Sequence, residues 1–207
     1  TEVYERAENV VPRATQLAGG IGLIYTGLTA IWAIMLALAG MDMFDAVTHA
    51  MTTLATGGYS TRTASIGAFD SVVIEWIVII GMVVGSLPFA HYLAVTRGGW
   101  RSLINDPQVR LFLLLVTGLI ILLSWYLTHS GQAFGNAFRQ SSFNAVSIMT
   151  GTGYVSANYS AWGGFASTIL LMVMFIGGCG GSTTCGIKVF RLQVLAATVR
   201  VQINRLL

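Results

Sequence analysis

Two glycine-bearing segments have the composition of a backbone built to coordinate a cation: Thr56-Gly57-Gly58-Tyr59 and Thr150-Gly151-Thr152-Gly153-Tyr154. Glycine reaches backbone conformations closed to other residues and lets the chain turn without a side chain in the way. Such a strand can aim successive carbonyls inward, and a ring of carbonyls can replace the water around a monovalent cation. The candidate filter residues are Ala55, Thr56, Gly57 and Gly58 in the first segment and Thr150, Gly151, Thr152 and Gly153 in the second, with the ion at Thr56, Gly57, Gly151 and Thr152. No carboxylate lies in either turn, which argues against an Asp or Glu ring and against a divalent preference. Thr150 and Thr152 stand where the first segment has Ala55 and Gly57. Their hydroxyls either add to coordination or only hold the loop, and the sequence leaves both open. A plainer reading, in which the glycines only make tight interhelical turns, is weakened because two such turns recur at matching places, each before an aromatic residue.

Each turn needs an element to carry it. Residues 44–55 and 138–150 are helix-like, rich in Ala, Ser and Thr, and too short to cross a bilayer. Their partly negative C-terminal ends point at the turns, which favours a cation. A short helix followed by irregular backbone is tolerated at membrane depth only where protein or a water-filled path covers it, so both read as re-entrant loops. Around them lie four long apolar stretches, at residues 17–39, 72–95 (with Glu75 near one end), 109–127 and from 162 onward. Roughly 20 helical residues span the hydrocarbon core. The fourth stretch is interrupted by Gly177-Gly178-Cys179-Gly180-Gly181-Ser182-Thr183-Thr184-Cys185-Gly186, and helical pattern resumes at Ile187. The expected fold is an all-α membrane protein of two span–re-entrant pore loop–span repeats, the second inner helix broken by that Gly-rich intramembrane loop.

The halves repeat at an offset of 95, which brings Ala50 onto Ala145, Thr52 onto Ser147, Thr56 onto Gly151, Gly58 onto Gly153 and Tyr59 onto Tyr154. The division expected is 1–104 for the first unit and 105–207 for the second.

Composition agrees. Of 207 residues, 55% are hydrophobic and 9% charged. Soluble domains carry roughly 25% charged residues. An ordinary cytosolic enzyme, a disordered segment and a nucleic-acid binder are therefore excluded. The formal charge of +3 says less than the placement of the 11 basic residues. Arg6, Arg13, Arg97, Arg101, Arg110, Lys188, Arg191, Arg200 and Arg205 fall on one side of the expected spans, and Arg62 and Arg139 on the other. The richer side is assigned to the cytoplasm, so both re-entrant loops enter from outside. The chain begins at Thr1 and reads as an excerpt of a longer polypeptide.

Residues 52–60 resemble the second pore loop of the bacterial Trk/Ktr/HKT potassium transporter superfamily, and residues 149–154 resemble the third. The run from Phe175 to Arg191 is similar to the broken helix that follows the third loop, and the TrkH-type membrane subunit is the form resembled. The resemblance implies potassium uptake, with sodium preference open, across the bacterial inner membrane, K+ as the only bound species and no organic cofactor. It implies two further repeats outside this chain, a homodimer and a cytoplasmic nucleotide-binding regulatory ring, with membrane lipid around them. It also implies a gate beneath the filter at Gly177, Gly178, Gly180, Gly181, Ser182, Thr183 and Lys188, although a kink for close packing remains the alternative for the glycine run. Lys188 could also simply snorkel to headgroups.

No catalytic residue is expected. Three other classes stay open: the potassium-binding subunit of a P-type pump, a membrane-embedded enzyme using His49, His91 or Asp45, and a structural scaffold without a pore. Lone histidines of this kind read as structural, without carboxylate or Cys partners. Asp42 and Asp45 read as outer-mouth charges or helix caps, and Cys179 and Cys185 as small packing residues. Gly81 and Gly85, four apart, read as a close helix contact. Trp32, Trp76, Trp125 and Trp162 read mostly as aromatic-belt residues.

Overall fold

A computed structural model describes residues 2–96 and 98–206, with the side chains of residues 2–14 and 206 outside the description. Arg97, and the side chains of Arg6 and Arg13, therefore lie outside the described residues. Among the described residues nine α-helices follow in order: α1 (Glu2–Leu38), α2 (Met43–Leu54), α3 (Val72–Gly85), α4 (Phe89–Thr96), α5 (Arg101–Asn105), α6 (Pro107–His129), α7 (Phe134–Met149), α8 (Gly164–Val173) and α9 (Val189–Leu206). Among the described residues, extended pairing is confined to one parallel bridge between Ile176 and Ile187.

The stretch Thr15–Leu38 of α1 and the whole of α6 are long and apolar enough to cross a membrane. At 1.5 Å per residue each is about 35 Å long. Helix α6 starts cleanly because Asp106 caps it, its Oδ1 accepting the Gln108 N–H at 2.7 Å, and because Pro107 sits where a missing N–H costs nothing. Each long helix packs against the short helix that follows it, α1 on α2 and α6 on α7, and α3 packs on α7 to join the halves. One apolar core runs through both halves, from Trp32 and Leu36 through Val78 and Met82 to Phe143, Val146 and Tyr154. A smaller core joins α6, α7 and α8 around Leu123, Ala145 and Leu170.

The expected span at 72–95 is bent in the middle. Helices α3 and α4 meet at 93°. Pro88 has no N–H to continue the ladder and restricts Leu87 before it. Ser86 Oγ donates to Met82 O at 2.6 Å, and that local bond competes with the helix. Helix α7 also starts four residues ahead of expectation, at Phe134, where Phe134 and Phe138 stack at 6.1 Å.

The bend leaves polar backbone groups that water does not reach, and the break between α8 and α9 satisfies them. Ser86 O accepts the Cys179 N–H at 3.1 Å, Gly85 O accepts the Thr183 N–H at 3.2 Å, and Gly181 O accepts the Phe89 N–H at 3.1 Å. The second break closes on itself elsewhere. Gly177 N–H donates to Ile187 O at 2.9 Å, Ile187 N–H to Phe175 O at 2.9 Å and Val189 N–H to Gly178 O at 3.1 Å.

Gly81 does permit a close helix contact. A Cβ there would lie 2.3 Å from Trp32 Nε1 and 2.6 Å from Thr53 Cγ2. Trp32 itself donates to Ile77 O at 2.9 Å and is buried, as is Trp162. These two are packing residues, not belt residues; Trp125 is exposed.

Two stability predictions follow from these contacts. Gly81→Val should destabilise the protein by about 1–3 kcal/mol through overpacking. Gly118→Ala, on α6 with open space around it, should not. Thr183→Val removes the hydroxyl bonded to Gly85 O and should cost about 1 kcal/mol, with Thr183→Ser recovering it. Thermal unfolding of the full-length protein in detergent checks both.

Candidate functional site

Both glycine segments emerge from the C-terminal ends of short helices, as the sequence implied. Ala55 caps α2 with its N–H on Met51 O, and Thr150 caps α7 with its N–H on Val146 O. From there the two loops share a backbone pattern. Thr56 and Gly58 have φ of +48° and +68°, and their counterparts Gly151 and Gly153 have +71° and +84°. Left-handed φ thus falls on alternate residues in each loop. Thr56, a β-branched residue, holds there a conformation that costs about 1–3 kcal/mol.

The loops are fastened from behind. Thr52 Oγ1 lies 3.0 Å from Tyr59 O, and its counterpart Ser147 Oγ donates to Tyr154 O at 2.7 Å. Gly57 N–H donates to Thr52 O at 2.8 Å and Gly153 N–H to Ser147 O at 3.2 Å. His49 Nε2 meets Ser60 Oγ at 2.9 Å, and its counterpart Asn144 donates to Ser156 Oγ at 3.3 Å. Thr150 and Thr152 pair their hydroxyls at 2.7 Å, and Thr150 Oγ1 also reaches Ser147 O at 3.3 Å. Both hydroxyls are therefore engaged in holding the loop. By contrast, among the described residues no N–H or O–H donates to the carbonyls of Thr56, Gly57, Gly58, Thr150, Gly151, Thr152 or Gly153. The Ala55 carbonyl does accept a bond, from Thr56 Oγ1 at 2.8 Å.

The two loops touch. A Cβ on Gly58 would sit 1.7 Å from Thr152 O. The phenol of Tyr154 reaches back across this contact to Thr52 Oγ1, and lies 3.3 Å from His49 O and 3.4 Å from Tyr59 O. The two tyrosines that match in sequence differ in surroundings: Tyr154 is buried and Tyr59 is exposed.

The glycine run between α8 and α9 lies against both loops. Thr183 Oγ1 lies 3.0 Å from Leu54 O, and Thr56 Oγ1 donates to it at 3.3 Å. A Cβ on Gly151 would come within 3.4 Å of Cys185 Cβ. Space forbids side chains at Gly177 and Gly178, whose Cβ atoms would lie 2.0 Å from Cys185 O and 2.8 Å from Thr184 Oγ1. Gly180 N–H donates to Gln108 Oε1 at 3.0 Å, tying the run to the start of α6. Gly181 takes positive φ, and Ser182 Oγ donates to Cys179 O at 2.6 Å. Lys188 does not extend to lipid. Its Nζ donates to the Thr184 carbonyl, meets Thr184 Oγ1 at 3.0 Å, and lies 3.4 Å from both Ser182 oxygens.

Several other expectations change. Asp45 is not a free charge at the outer mouth, because Arg62 Nη2 pairs with it at 2.5 Å and Thr61 Oγ1 donates to it at 2.6 Å. Asp42 does cap α2. His91 has a carboxylate partner after all, with Nε2 2.6 Å from Asp106 Oδ2 and Nδ1 2.9 Å from Ser102 Oγ. Burial pushes the Asp106 carboxyl up, but the bonds from His91 and the Gln108 N–H outweigh it and hold it below the usual carboxylate range. Cys179 is buried as expected, while Cys185 is exposed. Glu75 and Arg139 form an ion pair at 3.6 Å between α3 and α7, which neither residue signalled alone. His49, Asp45 and His91 do not form one polar triad, and among the described residues no cluster of His, Cys, Asp and Glu could hold a metal.

The comparisons with known proteins agree on one family. The family described as TrkH, cation transport protein, matches residues 5–206. Trk system potassium uptake protein TrkI of Halomonas elongata is 40% identical over 209 residues, covering 100% of this chain and 42% of that protein. Trk system potassium uptake protein TrkH of Escherichia coli K12 is 34% identical over 203 residues, covering 94% of this chain and 41% of that protein. The crystal structure of the potassium transporter TrkH from Vibrio parahaemolyticus superposes with a TM-score of 0.86 at 35% identity, over 94% of this chain and 43% of that one. The chain thus spans about two fifths of the length of these relatives, which are uptake proteins and not enzymes. With re-entrant helices, paired glycine loops and a broken inner helix in place along nearly its whole length, this chain belongs to the TrkH cation transport protein family.

Proposed function

We propose that this chain supplies two of the loops of a potassium pathway across the bacterial inner membrane, residues 1–104 contributing one and residues 105–207 the other. The ion is held by main-chain oxygens at Thr56, Gly57, Gly151 and Thr152, with Ala55, Gly58, Thr150 and Gly153 flanking them. The observation that carries this reading is the shared loop geometry: positive φ on alternate residues, and carbonyls with no internal donor, in two segments that touch. Such carbonyls can stand in for an ion's water without the protein first breaking bonds of its own. The loops' hydroxyls, held by other groups, then play a supporting part.

The glycine run 177–186, with Lys188, acts as the gate in this proposal. Its support is position: Thr183 is bonded to the base of the first loop, and Cys185 lies beside Gly151 under the second. Lys188 holds the run in one arrangement by capping its carbonyl and hydroxyl oxygens. Transport by the whole protein requires further units, and the family resemblance supplies the rest of the proposal: a homodimer in lipid, regulated by a cytoplasmic nucleotide-binding ring. The pump-subunit and embedded-enzyme alternatives lose their footing with the family match.

Ion flux into liposomes carrying the full-length protein tests the pathway. K+ should pass in preference to Na+. Gly58→Ser and Gly153→Ser should each reduce that preference, because a side chain at positive φ costs about 1–2 kcal/mol and shifts neighbouring carbonyls. Gly58→Ser should be the more severe, since its Cβ meets Thr152 O while Gly153 has open space. Unchanged selectivity in both variants would overturn the assignment of the filter.

A further inference from the structure

We propose that His49 is a positioning residue for the first glycine loop, and that the K+ preference of the pathway depends on its bond to Ser60 and not on its bulk. The inference deepens the proposed potassium pathway and rests on it.

His49 lies on α2 and is fully buried. Its two ring nitrogens have different neighbours: Nδ1 is 2.7 Å from Asp45 O, and Nε2 is 2.9 Å from Ser60 Oγ. A carbonyl oxygen can only accept, so Nδ1 carries a proton, and Nε2 of the neutral ring then accepts from the Ser60 hydroxyl. Ser60 Oγ in turn accepts the Arg62 N–H at 3.1 Å. One end of the imidazole is thus anchored to its own helix. The other end fixes a hydroxyl directly after Tyr59, at the exit of the loop. The ring also packs on Phe69, edge-on at 5.4 Å, and on Tyr154, tilted at 6.0 Å. Bonded at both nitrogens and packed on two aromatic rings, it is locked in one orientation.

The second unit supplies an independent instance. The offset of 95 lays His49 on Asn144. Asn144 Nδ2 donates to Gln140 O at 2.9 Å and to Ser156 Oγ at 3.3 Å. Gln140 precedes Asn144 by four residues, as Asp45 precedes His49. Two chemically different side chains therefore make the same two bonds, one to a carbonyl a turn back on the short helix and one to a serine hydroxyl beyond the glycine loop. The serines themselves do not align: the offset lays Ser60 on Val155, next to Ser156. The alignment slips by one residue while the bond is kept, which a side chain chosen for its volume would not require.

The link to selectivity is mechanical. Among the described residues the carbonyls of residues 56–58 have no donor, so their places are set by what holds the two ends of the loop. The entry is held by the Gly57 N–H on Thr52 O, and the exit by Thr52 on Tyr59 O and by His49 on Ser60. A coordinating set keeps its geometry only if its supports hold it within about 0.5 Å. Releasing Ser60 frees one of the two fastenings at the exit.

Relative K+ and Na+ flux into liposomes carrying the full-length protein tests this, with the unfolding temperature measured beside it. His49→Leu keeps the bulk and removes both bonds, and it should lower the K+ preference about fivefold, the scale of one hydrogen bond. His49→Gln offers Ser60 an amide where Nε2 stands and should recover most of that preference, even where its unfolding temperature stays as low as that of His49→Leu. Ser60→Ala removes a single oxygen and should lose as much as His49→Leu, and the two together should lose no more than either alone. An unchanged preference in Ser60→Ala, additive losses, or a His49→Gln no better than His49→Leu would overturn the proposal and leave His49 a packing residue. Ser60→Ala decides the matter if His49→Leu does not assemble. A lack of K+ preference in the unsubstituted protein is a separate failure, which overturns the filter assignment itself.

Discussion

Two broken helices lie side by side in this protein, and each exists because the other supplies its missing hydrogen bonds. A backbone polar group left unpaired away from water costs about 1–3 kcal/mol, and more at membrane depth. The bend at 85–89 exposes two carbonyls and an N–H, and the glycine run 177–186 meets all three with Cys179, Thr183 and Gly181. The glycines follow from that closeness: a Cβ on Gly178 would press on Ser86 O at 2.9 Å, and one on Gly85 would press on Leu54 O at 2.7 Å. What looks from composition like a flexible stretch is a fitted part, held at fixed distance from the loops above it.

That fit couples the two candidate elements. Thr183 contacts both the bend and the base of the first glycine loop, and Cys185 adjoins the second loop. Any movement of the run therefore acts on three neighbours at once, and a packed arrangement of this kind switches between discrete states in preference to sliding. The loops, in contrast, are fastened through hydroxyls and N–H groups that leave the carbonyls of residues 56–58 and 150–153 without a donor among the described residues. Thr52, Ser147, Thr150 and Tyr154 spend their hydroxyls on backbone and on one another. Fastened loops with undonated carbonyls have the pre-organisation that the proposed coordinating site needs.

Much of this was legible from residue types. The spans at 17–39 and 109–127, the short helices, the glycine turns and the break after α8 follow from hydropathy and glycine placement, while α8 itself, at ten residues, is shorter than a span. The bend in α3–α4 was not read, because residues 72–95 are predominantly apolar and hydropathy reports polarity, not straightness. The signal was present in Gly85-Ser86-Leu87-Pro88, and the offset of 95 lays Ser86 on Gly181, inside the other break. Trp32 was misread for a related reason: a tryptophan at a span end and one packed over a glycine have the same composition, and only the position of Gly81 separates them. The pairings Asp45–Arg62, His91–Asp106 and Glu75–Arg139 depend on where loops return, which spacing alone does not encode.

The repeat is most informative where it fails. Positions that bond within their own unit keep their chemistry: Thr52 and Ser147 both bind the following tyrosine carbonyl, and Gly58 and Gly153 both hold positive φ. Arg139, which pairs with Glu75 of the other unit, is matched by Phe44, which is exposed. Thr56 and Gly151 share a conformation that only glycine adopts freely, yet the first unit keeps threonine there and its hydroxyl meets Thr183. The strain is retained at the point where the first glycine loop and the broken helix touch. Gly151 has no such bond to make and carries no side chain. The difference between the two loops thus follows the glycine run 177–186, which bonds to one of them and only adjoins the other.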